Sequence, residues 1–182
     1  MFGRKEDSSA DLEAIKATLK DRALFTETIQ SGGLNKQELL EQLDKHQNHG
    51  LYTSPYARRM IESPQFTTSP EQTSVSLGVF EIGTLGFTKQ PTDAQVLERG
   101  QELGMDLHPP DDAIHYVLEH RNNPPQYWFD FAMEPITASD GGPRVFYVGP
   151  LEDGVGLHGS WRSPDRRWAL VGHVAFRFSK KN

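Results

Sequence analysis

Apolar residues recur at helical spacing before residue 63 and at strand spacing after residue 74. Between them lies SPQFTTSPEQTS, with two prolines and a run of Ser, Thr and Gln residues, the composition of a linker. A change of period of this kind separates two structural regimes. It predicts an α+β protein with a small helical N-terminal part over 1–62, a linker over 63–74 and a β-rich domain over 75–182. The latter is expected to be a mostly antiparallel sheet with one packed helix.

The helical part divides at its stop signals. Residues 1–7 are polar and expected to fray. Ser8 with Asp11 three residues on resembles a capping pair, and Leu12, Ile15 and Leu19 follow on one helical face. That helix is expected to reach Gln30, before Ser31-Gly32-Gly33. Asn35 and Glu38 form the next capping pair, with Leu39, Leu40 and Leu43 as the apolar face and Gly50 as the stop. Ser54-Pro55 opens a third helix through Glu62, with proline in the first turn where its missing N–H costs nothing.

Beyond the linker, Val75, Leu77 and Val79 alternate with Ser76 and Gly78, the strand period. Thr92 and Gln95 cap a helix through Leu103, ended by Gly104. The rest reads as strands. Ile114, Tyr116 and Leu118 alternate; 128–133 is strongly apolar around Asp130; 144–148 follows the turn signal Asp140-Gly141-Gly142. Residues 155–157 follow Asp153-Gly154, and 168–178 closes the chain.

Composition removes whole classes of function. The 182 residues include no cysteine, which excludes disulfides, thiol catalysis and Cys-ligated metal sites. No apolar run approaches the roughly 20 residues of a membrane-spanning helix. A cytoplasmic setting without membrane association is the expectation. The net charge of -6 is unevenly spread. Residues 71–158 hold 4 basic and 14 acidic side chains, whereas 159–182 hold 6 basic and one acidic. A net-acidic chain is a poor general nucleic-acid binder, so only the C-terminal segment could supply phosphate contacts.

Several blocks carry a resemblance. They are LGFT (85–88), LERGQELGMDLHPP (97–110), WFDFAMEPI (128–136), DGGPRVF (140–146) and the DG, W, DRRW and FRF elements of 153–178. Over 83–178 the chain resembles a group of small uncharacterised bacterial proteins, in which position 108 is often Cys where this chain has His108. The resemblance implies a self-contained bacterial module and brings no activity or catalytic residue with it.

Three constellations could carry chemistry. His108, Asp111, Asp112, His115, Glu119 and His120 fall within thirteen positions, and imidazole with carboxylate would hold a metal without cysteine. Their spacing matches no metal motif, so a metal-dependent hydrolase using His108, His115 and Glu119 stands as an alternative. Asp130, inside an apolar strand, is either a general acid–base group raised by burial or an outward-facing carboxylate. The third is GSWRSPDRRW over 159–168, where Trp161 and Trp168 bracket Arg162, Arg166 and Arg167. Aromatic and guanidinium groups are the usual anchors of interfaces. No nucleophile elbow or phosphate loop appears.

The leading expectation is therefore a non-catalytic interaction or adaptor protein. It would bind a protein or acidic partner through Trp161, Arg162, Arg166, Arg167 and Trp168, with no cofactor. Single-strand nucleic-acid binding through the C-terminal segment is the third reading.

Overall fold

The computed structural model describes residues 9–180. The expected fraying of 1–7 and the Ser8 cap lie outside the described residues. Among the described residues the chain is an α+β protein with six α-helices and a nine-stranded, mostly antiparallel sheet.

The N-terminal part runs α1 (Ser9–Ala17), α2 (Leu19–Arg22), β1 (Phe25–Ser31), α3 (Lys36–His46), β2 (Leu51–Thr53) and α4 (Pro55–Glu62). Then follow β3 (Thr73–Glu81), a 3-10 turn (Ile82–Leu85), α5 (Asp93–Glu102), β4 (Met105–Asp106) and α6 (Asp111–His120). The last five strands are β5 (Phe129–Phe131), β6 (Ile136–Thr137), β7 (Pro143–Leu151), β8 (Gly154–Trp161) and β9 (His173–Phe178). The main sheet order is β1-β3-β9-β5-β7-β8-β2, with β4 on β9 and β6 on β7. Among the named strands β5–β9 and β2–β8 pair in parallel and the rest antiparallel.

Local signals set the starts of α3, α4 and α5. The side chain of Asn35 accepts from the Glu38 N–H, and Glu38 accepts in return from the Asn35 N–H. Thr92 and Gln95 form the same reciprocal box at α5. Ser54 caps α4, with Pro55 in its first turn. Each such cap contributes about 1 kcal/mol by satisfying a donor the helix cannot.

Two element expectations are corrected. The first helix does not reach Gln30, because Phe25–Ser31 leaves it and pairs along its whole length with β3, from Phe25 opposite Val79 to Ser31 opposite Thr73. The residues FTETIQS are β-branched and aromatic enough to prefer a pleated surface once a partner strand is present. The second is 114–118, which is helix α6 and not a strand. Asp111 through Val117 are all buried there, so apolar residues occur on every side and the period is ambiguous in so short a run. The C-terminal part thus carries α6 beside the expected α5.

The N-terminal strands also tie the proposed parts together. β1 pairs with β3 and β2 with β8, so one sheet draws on both. Residues 63–74 do not run free between them. Phe66 is buried against Phe146, and the Ser69 N–H donates to Asp111 at 2.6 Å. Gly32 sits at φ 91°, and a Cβ there would come within 2.2 Å of the Glu71 carbonyl oxygen. That turn is therefore glycine for two reasons, a left-handed backbone and the close passage of 69–72.

Each face of the sheet has its own core. Leu39, Leu43, Met60, Ile61, Ile114 and Tyr116 from α3, α4 and α6 bury one face with Leu77, Phe129, Phe146 and Leu157. Ile15, Leu19 and Val96 from α1, α2 and α5 cover part of the other with Phe80, Val174, Phe176 and Trp168. Full burial of such side chains contributes roughly 1.5–3 kcal/mol each.

Candidate functional site

The His/Asp/Glu segment becomes the N-terminus and body of α6 and is drawn into structural bonds. His108 Nδ1 lies 2.7 Å from Asp112, and both side chains are fully buried. Ser31 donates its hydroxyl to Asp112 at 2.6 Å, and Arg177 approaches the same carboxylate at 3.3 Å. Burial alone would raise the Asp112 carboxyl, but His108, Ser31 and Arg177 outweigh it and hold it below its ordinary value. Asp111 accepts from the N–H and the hydroxyl of Ser69.

A His–Asp pair of this kind orients an imidazole, the first requirement of a general base. The His108 Nε2 is buried without a hydrogen-bond partner, and the ring packs against Phe131 with centroids 4.9 Å apart. His115 is buried as well, and burial pushes its imidazole down. Glu119 instead accepts from the Gln30 N–H of β1 at 3.1 Å. Among the described residues, no three His, Asp or Glu side chains are placed to hold a metal ion. His108, His115 and Glu119 are not brought together as ligands. At the end of α6, His120 reaches Glu27 of β1 at 2.7 Å and stacks on Tyr116.

The Trp/Arg segment is split by the fold. Arg162 is buried, 2.5 Å from Asp130 and 3.1 Å from Asp93. Trp168 is buried too, donating its indole N–H to Asp93 at 3.1 Å. The Arg162 and Arg166 guanidinium groups both lie against the Trp168 ring, at 5.2 and 4.6 Å. Asp130 therefore does not face solvent; it is buried in this cluster. Burial pushes its carboxyl up, and Arg162 and then Arg166 oppose that. Arg162 and Trp168 are committed to intramolecular partners, whereas Arg167 is exposed and Arg166 half-buried.

Trp161, at the end of β8, is the exception, with 54% of its surface exposed. A Cβ on Gly142 would lie 2.1 Å from the indole, so the absence of a side chain there lets the ring lie against the backbone. The Arg144 guanidinium of β7 lies 5.5 Å from the Trp161 ring and 4.7 Å from the Tyr56 ring of α4. Asp140 accepts from Arg144 at 2.7 Å, and Arg59 stands 3.8 Å from Asp140. Tyr56, also exposed, completes a surface of two aromatic rings with the buried Arg144 between them. Tyr56, Arg59 and Arg144 carry no sequence signal as a group, because α4 and β7 meet only in the fold.

Comparison with family models, with curated proteins and with solved structures finds no match to this chain. The class that fold and site define is an α+β protein in which the His108–Asp112 and Arg162–Asp130 clusters are internal and the Trp161 and Tyr56 rings are external.

Proposed function

We propose that this chain is a non-catalytic interaction protein and that it holds an acidic protein partner on the surface formed by Trp161, Tyr56 and Arg59, with Arg144 buried beneath the rings and positioning them. The observation that carries the reading is Trp161: a large aromatic that is exposed yet held in place by Gly142 and Arg144. A prepositioned aromatic loses little entropy on binding, and Trp, Tyr and Arg dominate the energetics of interfaces. Arg59, exposed beside the rings, supplies positive charge suited to an acidic partner. Of the sequence-derived set Trp161, Arg162, Arg166, Arg167 and Trp168, the reading keeps Trp161 and adds Tyr56, Arg59 and Arg144.

The setting proposed is the bacterial cytoplasm, resting on the resemblance and on a cysteine-free composition. No helix among the described residues is long and apolar enough to cross a membrane.

Photo-crosslinking from position 56 in cells, with mass spectrometry of the adduct, identifies the partner. Its affinity is then measured with purified proteins. Trp161→Ala is expected to weaken binding by about tenfold or more, the cost of losing an aromatic anchor. An unchanged affinity with an intact fold removes the reading.

A further inference from the structure

β3 and β9 separate at one end of the sheet. Their ladder stops at Leu77 opposite Arg177. Beyond it β3 continues with β1 to Thr73, and β9 continues with β4 to Phe178. Among the described residues no strand pairing joins 73–76 to 178–180. The two segments border a notch of 440 Å³.

The direction of the free backbone groups follows from alternation in the ladder. The Gln30 N–H points away from β3, to Glu119. The odd-numbered residues of β1 therefore carry the bonds to β3, and Ser74 and Ser76 turn their backbone groups to the β9 side. There their N–H groups have no strand partner among the described residues.

The notch is lined by cations. Lys20 and Lys180 border it, and among the described residues neither has a carboxylate within 4 Å. Lys20 rests over the Phe178 ring at 5.5 Å. Arg177 also lines the notch, with its guanidinium toward Asp112. Asp106, opposite Arg177 in the β4–β9 pair, is the carboxylate among the lining residues. Lys20 and Phe178 also border two adjoining cavities of 680 and 240 Å³, where Lys16, Asp21 and Glu27 add charges of both signs. Glu27 is already engaged by His120.

We propose that the notch between β3 and β9 binds the phosphate group of a ligand, held by Lys20, Lys180 and the backbone amides of Ser74 and Ser76. Unpaired amides beside ammonium groups match the acceptor oxygens and the charge of a phosphate. The Ser74 and Ser76 hydroxyls, already bonded to Gln30 and Thr28, border the site from the sheet. The site stands independently of the Trp161 surface, and the same chemistry fits a small phosphate ester or a nucleic-acid backbone.

The test follows the Ser74 and Ser76 amide signals by NMR while inorganic pyrophosphate, and separately oligothymidylate, is added to the full chain. Saturable shifts at these two amides are expected, with affinity falling about tenfold or more in the Lys20→Ala/Lys180→Ala double variant. Both lysines are exposed, so the variant keeps its melting temperature. Saturation by pyrophosphate assigns a small phosphate ester; saturation by oligothymidylate alone assigns a nucleic-acid backbone. No saturable shift with either probe, or an affinity the double variant leaves unchanged, overturns the proposal.

Discussion

Arg162 and Asp130 form an ion pair at 2.5 Å with only 4% and 5% of their side chains exposed. A pair this deep is costly to break, because Asp130 then loses its nearest countercharge in a dry setting and keeps only Arg166, 3.8 Å away. Arg162→Met is expected to cost about 3–5 kcal/mol of stability in denaturant unfolding. Adding Asp130→Leu to that variant should recover most of the loss, since a buried pair replaced whole by apolar groups is often neutral. Equal destabilisation of the single and double variants would contradict the pairing.

The Asp112 hub predicts a pH dependence. Its folded pKa lies below the ordinary 3.8, so its stabilisation is fully present above that value. It disappears as pH falls through the lower, folded value. Asp112→Asn should therefore be less stable than the parent chain at pH 7, with the gap closing below about pH 4. Chemical denaturation at a series of pH values checks this; a gap that persists at low pH would contradict it.

His120 predicts the opposite slope. Burial would lower its imidazole, but the bond to Glu27 and the Tyr116 carbonyl outweigh burial and raise it above 6.5. Its contribution is complete below 6.5 and disappears as pH rises through the folded value. The melting-temperature difference between the parent and His120→Gln should be larger at pH 5.5 than at pH 9. An NMR titration of His120 that gives a value below 6.5 would overturn the assignment.

Gly142→Ala should act on Trp161 without disturbing the cores. The added methyl would occupy the place of the indole and must displace it. The variant is expected to keep its unfolding midpoint while its tryptophan emission moves toward that of a fully solvated ring. Binding of the partner identified through Tyr56 should weaken in parallel. An unchanged spectrum would mean that Gly142 does not position the ring.

Residues 75–182 are not expected to fold alone. Without residues 1–62, β3 loses β1, and the face bearing Val75, Leu77 and Val79 loses Ile29, Leu39, Leu43, Met60 and Ile61. A fragment beginning at 75 should show little ordered structure by circular dichroism. In the whole chain, residues 63–74 should resist limited proteolysis, because Phe66 and Ser69 are anchored. A well-folded fragment would restore the two-part organisation suggested by composition.

Features governed by near neighbours were legible in the sequence. The Asn35–Glu38 and Thr92–Gln95 boxes, the Ser54-Pro55 start, and the alternation of Val75, Leu77 and Val79 each depend on residues a few positions apart. The same holds for the turn signal at Asp153-Gly154, where β7 passes through Glu152 and Asp153 into β8. Such signals act through backbone geometry and local hydrogen bonds, which the chain carries before it folds.

Tertiary structure decided the rest. Phe25–Ser31 is a strand because β3 offers it a full ladder, a partner about fifty residues away in the chain. Asp111–His120 is a helix because both flanks of its apolar surface meet neighbours, which no two-residue or four-residue period expresses. Within one ten-residue segment, Trp168 and Arg162 turned inward to Asp93 and Asp130 while Trp161 stayed at the surface. Residue type alone could not sort them, since an aromatic or a guanidinium serves equally in a buried network and at an interface. Its role is set by the charges and surfaces that distant segments bring to it.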